Sequence, residues 1–410
     1  MSPPLPIQLD GTTLEGGGQL LRLALGLSSL TSKPITITNI RGKRHGGGGL
    51  KSQHLACVQW LAQACSAQVS GATLKSRAIT FIPDTVRTTP SNILTSREIH
   101  INQTTPGSVT LVFQAILPYI LFSGSSSSSS PLPVQVHITG GTNVSNSPSI
   151  DYIAQVLLPT LQLIGIPPIT STLHSRGWSP PGNPPQLGSI TYTIRPLSGP
   201  LPAFNLTNRG PITGIKATII APQASELHFR NHLAHIFQHR FSPLSTPTTP
   251  TPTLTITFHP SPSPKHYYLL LTAHTTTAHT LGRDLLSTTR PSKTTSEKLT
   301  ATTMVEQVSA QLLEEIATGA CVDSHLRDQL LVFQALARGR STVAGGGREP
   351  SLHLKTARWV AKEILGVEGE GEEDGGCEGV GYCPGPGEGK GNVVDNEEGG
   401  LAEGLERLQM

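Results

Sequence analysis

Short strands and amphipathic helices alternate at the start of the chain, and this alternation constrains the fold more than any other feature. Residues 7–9 are predicted to form a strand that ends in an Asp-Gly turn, and residues 17–29 a helix with leucines along one face. A strand over 34–40 follows, and then a glycine-rich loop over 45–49 leads into a helix over 50–67. This order of elements predicts layers of helices packed on sheets.

The same pattern returns further along, which predicts repeated α/β units even though no repeat is visible as sequence identity. The further elements are predicted as helices over 107–122, 151–164, 304–318 and 323–337 and a strand over 134–139. A serine run at 125–130 interrupts the pattern and is typical of a flexible loop tip. The Pro/Thr/Ser-rich stretch 242–264 reads as an irregular connection that contains one strand, 253–258.

Charge is distributed unevenly between the body of the chain and its C-terminal end. Residues 367–410 hold 12 acidic and two basic residues, a charge of −10, so the preceding 366 residues carry +13 of the overall +3. The acidic end has few large apolar residues and is therefore predicted to be disordered. The basic body suits a polyanionic partner such as RNA, but ordinary solubility charge gives the same balance.

Targeting and redox features indicate an intracellular protein. No stretch of about 18 uninterrupted apolar residues is present, so no membrane span is expected. The N-terminal residues lack the basic and apolar regions of a secretory signal. The five cysteines lack zinc-site spacing and are not expected to form disulfides in an intracellular protein.

Two glycine-rich motifs have the composition of phosphate-binding loops. The first, LDGTTLEGGGQLLR at 9–22, places three glycines beside Glu15 and Arg22 at a helix start. The second, IRGKRHGGGGLKSQHL at 40–55, surrounds four glycines with cations and lacks the P-loop signature. Backbone amides and cations suit phosphate oxygens, and Glu15 suits a metal or a base edge. Each motif taken alone is also compatible with a glycine-rich turn on a solvated surface.

A third pair of motifs lies near the C-terminus and contains a candidate nucleophile. HLRDQL at 325–330 opens one predicted helix, and LHLKTARWVAKEI at 352–364 opens another with His353 at its head. Uncharged imidazole is a good nucleophile at neutral pH. A lone histidine is nevertheless more often structural, so the motif does not settle the role of His353 by itself.

Taken together and in order, these motifs resemble the RNA 3'-terminal phosphate cyclase family. The resemblance also includes TPGSVTLVFQAILP, GGTNVSNSPSIDY, NRGPITGI and the LHLKT segment, and it extends from residue 9 to about 364. It implies an α/β fold with cyclase and EPSP-synthase-like layering, in which a large domain of repeated α/β units carries a smaller inserted α/β domain. We therefore expect the large domain over 1–185 and 276–366, the insert over 186–275, and a disordered acidic tail over 367–410.

The resemblance also implies a three-step mechanism in which ATP adenylylates a histidine, AMP passes to the RNA 3'-phosphate, and the neighbouring 2'-OH expels AMP. His353 matches the nucleophile that precedes x-x-Thr. The expected ligands are ATP, Mg²⁺ or Mn²⁺, and RNA with a 3'-phosphate end. The positions implied for ATP are Gln114, His325, Leu326, Arg327, Asp328 and Gln329. Those implied for substrate phosphates are Glu15, Arg22, Arg41, Arg44 and Gln53, with Glu15 also a metal candidate.

The chain departs from the family pattern in several places. RGWSPPGNPPQLGS at 176–189 replaces the usual RGxxPxGGG, APQAS at 221–225 replaces a leucine-proline segment, and glycines at 345–347 extend a loop. One alternative is a catalytically inactive cyclase-like ribosome-assembly factor, which would lack the nucleophile that His353 supplies. Another is a general RNA-binding module without chemistry. As an active member the protein is expected inside the cell, in the nucleoplasm.

Overall fold

The computed structural model describes residues 4–44, 47–84, 96–123, 131–178, 186–244, 251–287, 296–367 and 375–384. The serine run at 125–130 and half of the departing segment at 176–189, residues 179–185, lie outside these ranges. None of the helices in the described ranges combines the length and the apolar composition that a bilayer crossing requires.

The first α/β unit is formed by the N-terminal 82 residues. Its elements are β1 (Ile7–Asp10), α1 (Gly18–Thr31), β2 (Ile35–Thr38), α2 (Ser52–Ala64), β3 (Gln68–Ser70) and β4 (Ile79–Ile82). The strands lie in the order β1-β2-β4-β3, with the first pair parallel and the other two pairs antiparallel. Leucines and isoleucines of both layers are fully buried between helices and sheet.

The second unit repeats the first with the same strand order and the same strand directions. Its elements are β5 (Glu98–Asn102), α3 (Val109–Phe122), β6 (Val134–Gly140), the helix α4, β7 (Thr170–Ser175) and β8 (Gly188–Ile194). Helix α4 runs through Ile150–Tyr152, a π-helical turn Ile153–Leu157 and Leu158–Leu163. The order β5-β6-β8-β7 confirms the repeated units that the alternating pattern predicted.

A short strand, β9 (Asn205–Leu206), then precedes an inserted unit with its own core. The elements of the insert are β10 (Ile212–Ala221), α5 (Glu226–Ile236), β11 (Thr253–Pro260), β12 (Tyr267–Thr275), β13 (Thr280–Ser287) and α6 (Glu297–Ala317). Its sheet order is β11-β10-β12-β13. One sheet face contributes Tyr268 and Leu270 to the main core, and the other packs Leu269 and Leu271 under α5 and α6.

The observed insert differs from the expected 186–275 at both ends. Strand β8 belongs to the second unit because it hydrogen-bonds to β6 and β7. Strand β13 and helix α6 belong to the insert because their apolar side chains lie in its separate hydrophobic cluster. The alternation of elements in the sequence does not reveal which sheet a strand joins, and this explains the difference.

The last unit contains the residues of the third motif pair. It consists of α7 (Ser324–Leu336), β14 (Arg338–Val343), α8 (Leu352–Leu365) and β15 (Gly376–Val380), with sheet order β15-β14-β9. Helix α1 packs against both α8 and α3. This packing brings the first glycine-rich motif next to His353.

Strand β15 corrects the expectation of a tail that is disordered from residue 367. Residues 376–380 pair antiparallel with β14, Cys377 is buried, and the Tyr382 hydroxyl donates to the Leu30 carbonyl at 2.7 Å. A Cβ added at Gly379 would lie 2.2 Å from the Ala337 carbonyl oxygen. The glycine therefore allows β15 to pack closely against that backbone. The other residues of the tail, 368–374 and 385–410, lie outside the described ranges.

Candidate active site

Five helices begin at one cleft, which has a volume of about 600 Å³. The lining side chains from their first two turns are Gln19 and Arg22 of α1, Gln114 of α3, Tyr152 of α4, His325, Asp328 and Gln329 of α7, and His353 of α8. Serine or aspartate side chains cap α3, α4, α7 and α8, but α1 begins at Gly17 without a side-chain cap. Convergent helix N-termini favour bound anions, and the open end of α1 offers backbone N–H groups to one.

A hydrogen-bonded chain connects His353 to a carboxylate through an amide. The Nδ1 atom of His353 lies 2.6 Å from Oε1 of Gln19, and Nε2 of Gln19 donates to Oδ2 of Asp328 at 2.6 Å. Because the amide nitrogen faces the carboxylate, the amide oxygen faces the imidazole, and Nδ1 must donate to it. His353 therefore carries its proton on Nδ1 and keeps a free lone pair on Nε2.

The cleft shifts the pKa values of His353, of Asp328 and of the nearby His325. Partial burial lowers the pKa of His353, which favours the uncharged imidazole that a nucleophile needs. Burial raises the pKa of Asp328 to about 7, although the hydrogen bond from Gln19 and the charge of Arg22 oppose the increase. Burial also lowers the pKa of His325 to about 4, so this ring is a neutral aromatic surface in the cleft.

Glu15 organises the first glycine-rich motif. Its carboxylate forms an ion pair with Arg44 and accepts a 2.6 Å hydrogen bond from the Gly17 backbone N–H. The Glu15 backbone N–H donates to the Thr356 hydroxyl at 3.1 Å, which ties the motif to helix α8 one turn beyond His353. A Cβ at Gly17 would lie 2.1 Å from the Glu15 carboxylate, so a larger residue there would displace the Glu15 and Arg44 side chains from their ion pair.

Arg22 is the cation best placed for a bound phosphate. Within the described part of the chain its guanidinium forms no hydrogen bond or ion pair, while Glu15 and Asp328 attract it from nearby. Burial lowers its pKa, yet an arginine remains charged at neutral pH. A half-buried cation without an ion-pair partner in the described residues gains stabilisation from an anionic ligand in the cleft.

A small recess adjoins the cleft and combines side-chain amides with apolar side chains. Gln114 donates through Nε2 to Oε1 of Gln329 at 2.6 Å, and Gln329 donates to the His325 carbonyl at 2.7 Å. The apolar part of the lining consists of Leu23, Leu117, Leu157, Val332 and Phe333, and Gln19, Arg22 and Asp328 also line the recess. Its volume of about 60 Å³ is too small for a whole nucleoside.

Five of the expected site residues do not line the cleft, and Glu15, which is held by Arg44 and the Gly17 N–H, is one of them. Leu326 is fully buried in the main core, and Arg327 is directed to the loop at Gly345 and the Arg348 carbonyl. Arg41 donates to the Gly49 carbonyl at 3.2 Å and so braces the second glycine-rich loop. Gln53 accepts from the Ser108 backbone N–H at 3.0 Å at the start of α3. These side chains stabilise the segments around the cleft and do not line it.

Several lining residues were not singled out from the sequence. Gln19 stands in a motif that was identified, but its link to His353 spans 334 positions. Ser149 lies in the GGTNVSNSPSIDY motif, whose segment 143–149 forms one wall of the cleft. Tyr268 and Asp284 come from the insert, which resembles the family least, so no sequence signal indicated them.

Glu15 is the residue that the sequence suggested as a metal ligand. Within the described ranges no group of three or more histidine, cysteine or acidic side chains is arranged to hold a metal ion. The two oxygens of Glu15 are engaged by Arg44 and by the Gly17 N–H, and its carboxylate does not line the cleft, so the described geometry does not support Glu15 as a metal ligand.

Comparison with known proteins assigns the chain to a family. Residues 13–370 match the model of the RNA 3'-terminal phosphate cyclase family, and the chain belongs to that family. It is 32% identical to the RNA 3'-terminal phosphate cyclase of Staphylothermus marinus, over 88% of this chain and 92% of that protein. The enzyme of the same name from Nitrosospira multiformis is 33% identical over 88% and 92% of the two chains. That of Drosophila melanogaster is 29% identical over 92% and 97%.

Proposed function

We propose that this protein converts the 3'-terminal phosphate of RNA to a 2',3'-cyclic phosphate, with ATP as the energy source and His353 as the nucleophile. The single observation that carries the proposal is the link from His353 through Gln19 to Asp328, which leaves the lone pair on Nε2 free in a side chain that lines the cleft. Family membership supports the same conclusion.

In the first step Nε2 of His353 attacks the α-phosphorus of ATP and pyrophosphate leaves. Negative charge accumulates on the phosphates as the bond forms, and Arg22 and the open N-terminus of α1 stabilise it. A divalent metal, Mg²⁺ or Mn²⁺, bound to the phosphates themselves would offset further phosphate charge. Gln19 stabilises the Nδ1 proton as the imidazole becomes cationic, and Asp328 holds Gln19 in that orientation.

In the second step AMP moves from His353 to the RNA 3'-phosphate, and in the third the 2'-OH closes the ring. The cleft of about 600 Å³ holds the adenylate and the RNA terminus in these steps, and its lining extends from His353 to the wall at 143–149 and to the insert. We place the reaction in the nucleus, and imaging of the tagged chain in its own cells tests that part.

Incubation with ATP, magnesium and an RNA labelled at its terminal 3'-phosphate tests the activity. The expected product keeps its label after phosphatase treatment because a cyclic diester has no terminal monoester. Product that stays phosphatase-sensitive at every enzyme concentration would contradict the proposal. The presence of His353 and its relay distinguishes the chain from an inactive cyclase-like relative, which would give that negative result.

A further inference from the structure

The first α/β unit is basic, and its exposed positive charge is concentrated in two loops. Residues 4–84 contain eight lysines and arginines and three acidic residues, which gives a net charge of +5. Five of the cations have exposed side chains and lie within 43–51 and 75–77. We call these five residues the basic edge; they are Lys43, Arg44, Lys51, Lys75 and Arg77.

Backbone hydrogen bonds hold the two loops of the basic edge side by side. The N–H of Ile40 donates to the Arg77 carbonyl at 2.9 Å. The N–H of Leu50 donates to the Ser76 carbonyl at 3.0 Å, and the Leu50 carbonyl accepts from the N–H of Lys75 at 2.9 Å. Strand β4 leaves this turn antiparallel to β2, so the turn lies at the carboxyl end of β2.

The basic edge lies at the same end of the first unit as the cleft. Strands β1 and β2 are parallel, so their carboxyl ends meet at one side of the sheet, and the N-terminus of α1 follows the end of β1 there. Arg44 belongs both to the basic edge and to the lining of the cleft. The positive surface is therefore continuous with the site at which the reaction is proposed.

Most of the charge on the basic edge has no acidic partner. Arg44 pairs with Glu15, but Lys51, Lys75 and Arg77 form no ion pair with any acidic side chain in the described ranges. Partial burial lowers the pKa of Lys51, and the charges of Arg41 and Arg44 lower it further. Cations that crowd together without acids repel one another, and a polyanion relieves that repulsion.

We propose that the basic edge binds the RNA strand upstream of its 3' end, with Lys51, Lys75 and Arg77 in contact with backbone phosphates. This inference rests on the function proposed above, because a strand whose terminus lies in the cleft must leave it along an adjoining surface. Contacts to phosphates do not read bases. The basic edge therefore favours longer 3'-phosphorylated ends over short ones, whatever their sequence.

The double variant Lys75→Asn/Arg77→Gln tests the basic edge and removes two charges. Asparagine suits position 75, because the backbone there is left-handed with a φ of 67°. Cyclisation is measured with a 3'-phosphorylated dinucleotide and with an oligonucleotide of about 15 nucleotides, long enough to cover a single-strand site. The KM for the long substrate is expected to rise roughly 10-fold, and its slope against salt on logarithmic axes to fall by about 1.4. The KM for the dinucleotide and the rate of labelling by ATP should stay within about twofold.

Lys298→Glu is the matched control, because it changes the net charge by the same two units at the start of α6 in the insert. It should leave the KM for the long substrate unchanged, and Arg77→Gln alone should give about half the change in slope if the double variant fails to fold. An unchanged KM in the folded edge variants would overturn the proposal. So would an equal rise with Lys298→Glu or with the dinucleotide.

Binding of the long oligonucleotide, measured by fluorescence anisotropy without ATP, separates this proposal from the proposed function. The edge variants should bind it more weakly than wild type, with the reduced salt slope. Failure of the wild-type protein to become labelled by ATP would overturn the proposed function, whereas equal binding by wild type and the edge variants would overturn the basic edge as an RNA surface.

Discussion

The carboxamide oxygen of Gln19 accepts a hydrogen bond from Nδ1 of His353 at 2.6 Å, across 334 positions of sequence. This contact fixes the histidine tautomer. It also links two motifs from opposite ends of the chain, because α1 and α8 pack side by side. The tautomer of His353 thus depends on a residue in another unit of the fold.

Removal of the Gln19 amide is expected to slow adenylylation of His353 without weakening nucleotide binding. Gln19→Ala leaves Nδ1 without its acceptor, and a loss of about 1–3 kcal/mol corresponds to a roughly 5- to 150-fold slower adenylylation. Affinity for ATP should stay within about twofold. Rapid-quench labelling and equilibrium nucleotide binding measure the two quantities. An equal fall in both would show that Gln19 binds the nucleotide and does not orient His353.

Adenylylation is expected to depend on the titration of Asp328, whose pKa is raised to about 7. The ionised carboxylate accepts from Gln19, so the rate of labelling should rise with pH and level off above about 7. Asp328→Asn offers an amide donor to Gln19 and should slow the reaction and remove this dependence. A wild-type rate that is flat between pH 5.5 and 8 would contradict the relay.

The carboxyl of Asp328 is expected to make the free energy of unfolding fall with rising pH, while the adenylylation rate rises. The folded-state pKa of Asp328 lies above its ordinary value of 3.8. The protonated carboxyl therefore stabilises the folded state fully below pH 3.8, and this stabilisation is lost as pH rises through about 7. Asp328→Asn should therefore gain stability relative to wild type between pH 4 and 7. Chemical denaturation at several pH values measures this, and parallel curves for the two proteins would argue against a raised pKa.

Truncation is expected to show that residues 375–384 belong to the fold. A chain that ends at Gly366 loses strand β15, the buried Cys377 and the bond from Tyr382 to Leu30, so its Tm should fall by several degrees. A chain that ends at Pro384 is the matched control and should melt within about one degree of full length. Equal melting of all three would show that β15 contributes nothing.

RNA binding is expected to weaken steeply with salt because the first 366 residues carry a net charge of +13. Each phosphate contact releases counterions, so the logarithm of the binding constant should fall linearly with the logarithm of salt concentration. Fluorescence anisotropy with a 3'-phosphorylated oligonucleotide measures the slope. A slope near zero would indicate that the basic charge of the body is unrelated to RNA.

The sequence predicted those parts of the fold that depend on local pattern. The helix expected over 352–364 is observed as Leu352–Leu365, because its apolar spacing and its serine cap are local. Strand β15 was not predicted, because backbone pairing with β14 and close glycine contacts hold it in place of an apolar run. The relay through Gln19 and the carboxyl of Asp284 depend on contacts between units, which no local pattern specifies.

The most direct measurement is covalent labelling by α-labelled ATP followed by denaturing electrophoresis. Attack by Nε2 of His353 forms a phosphoramidate, so one AMP per chain should be retained, stable in alkali and labile in acid. His353→Ala and the near-isosteric His353→Asn should abolish both the label and cyclisation, with melting temperatures close to wild type because the side chain is exposed at the cleft. A labelled His353→Ala protein would show that another residue is the nucleophile and would contradict the account given for this site.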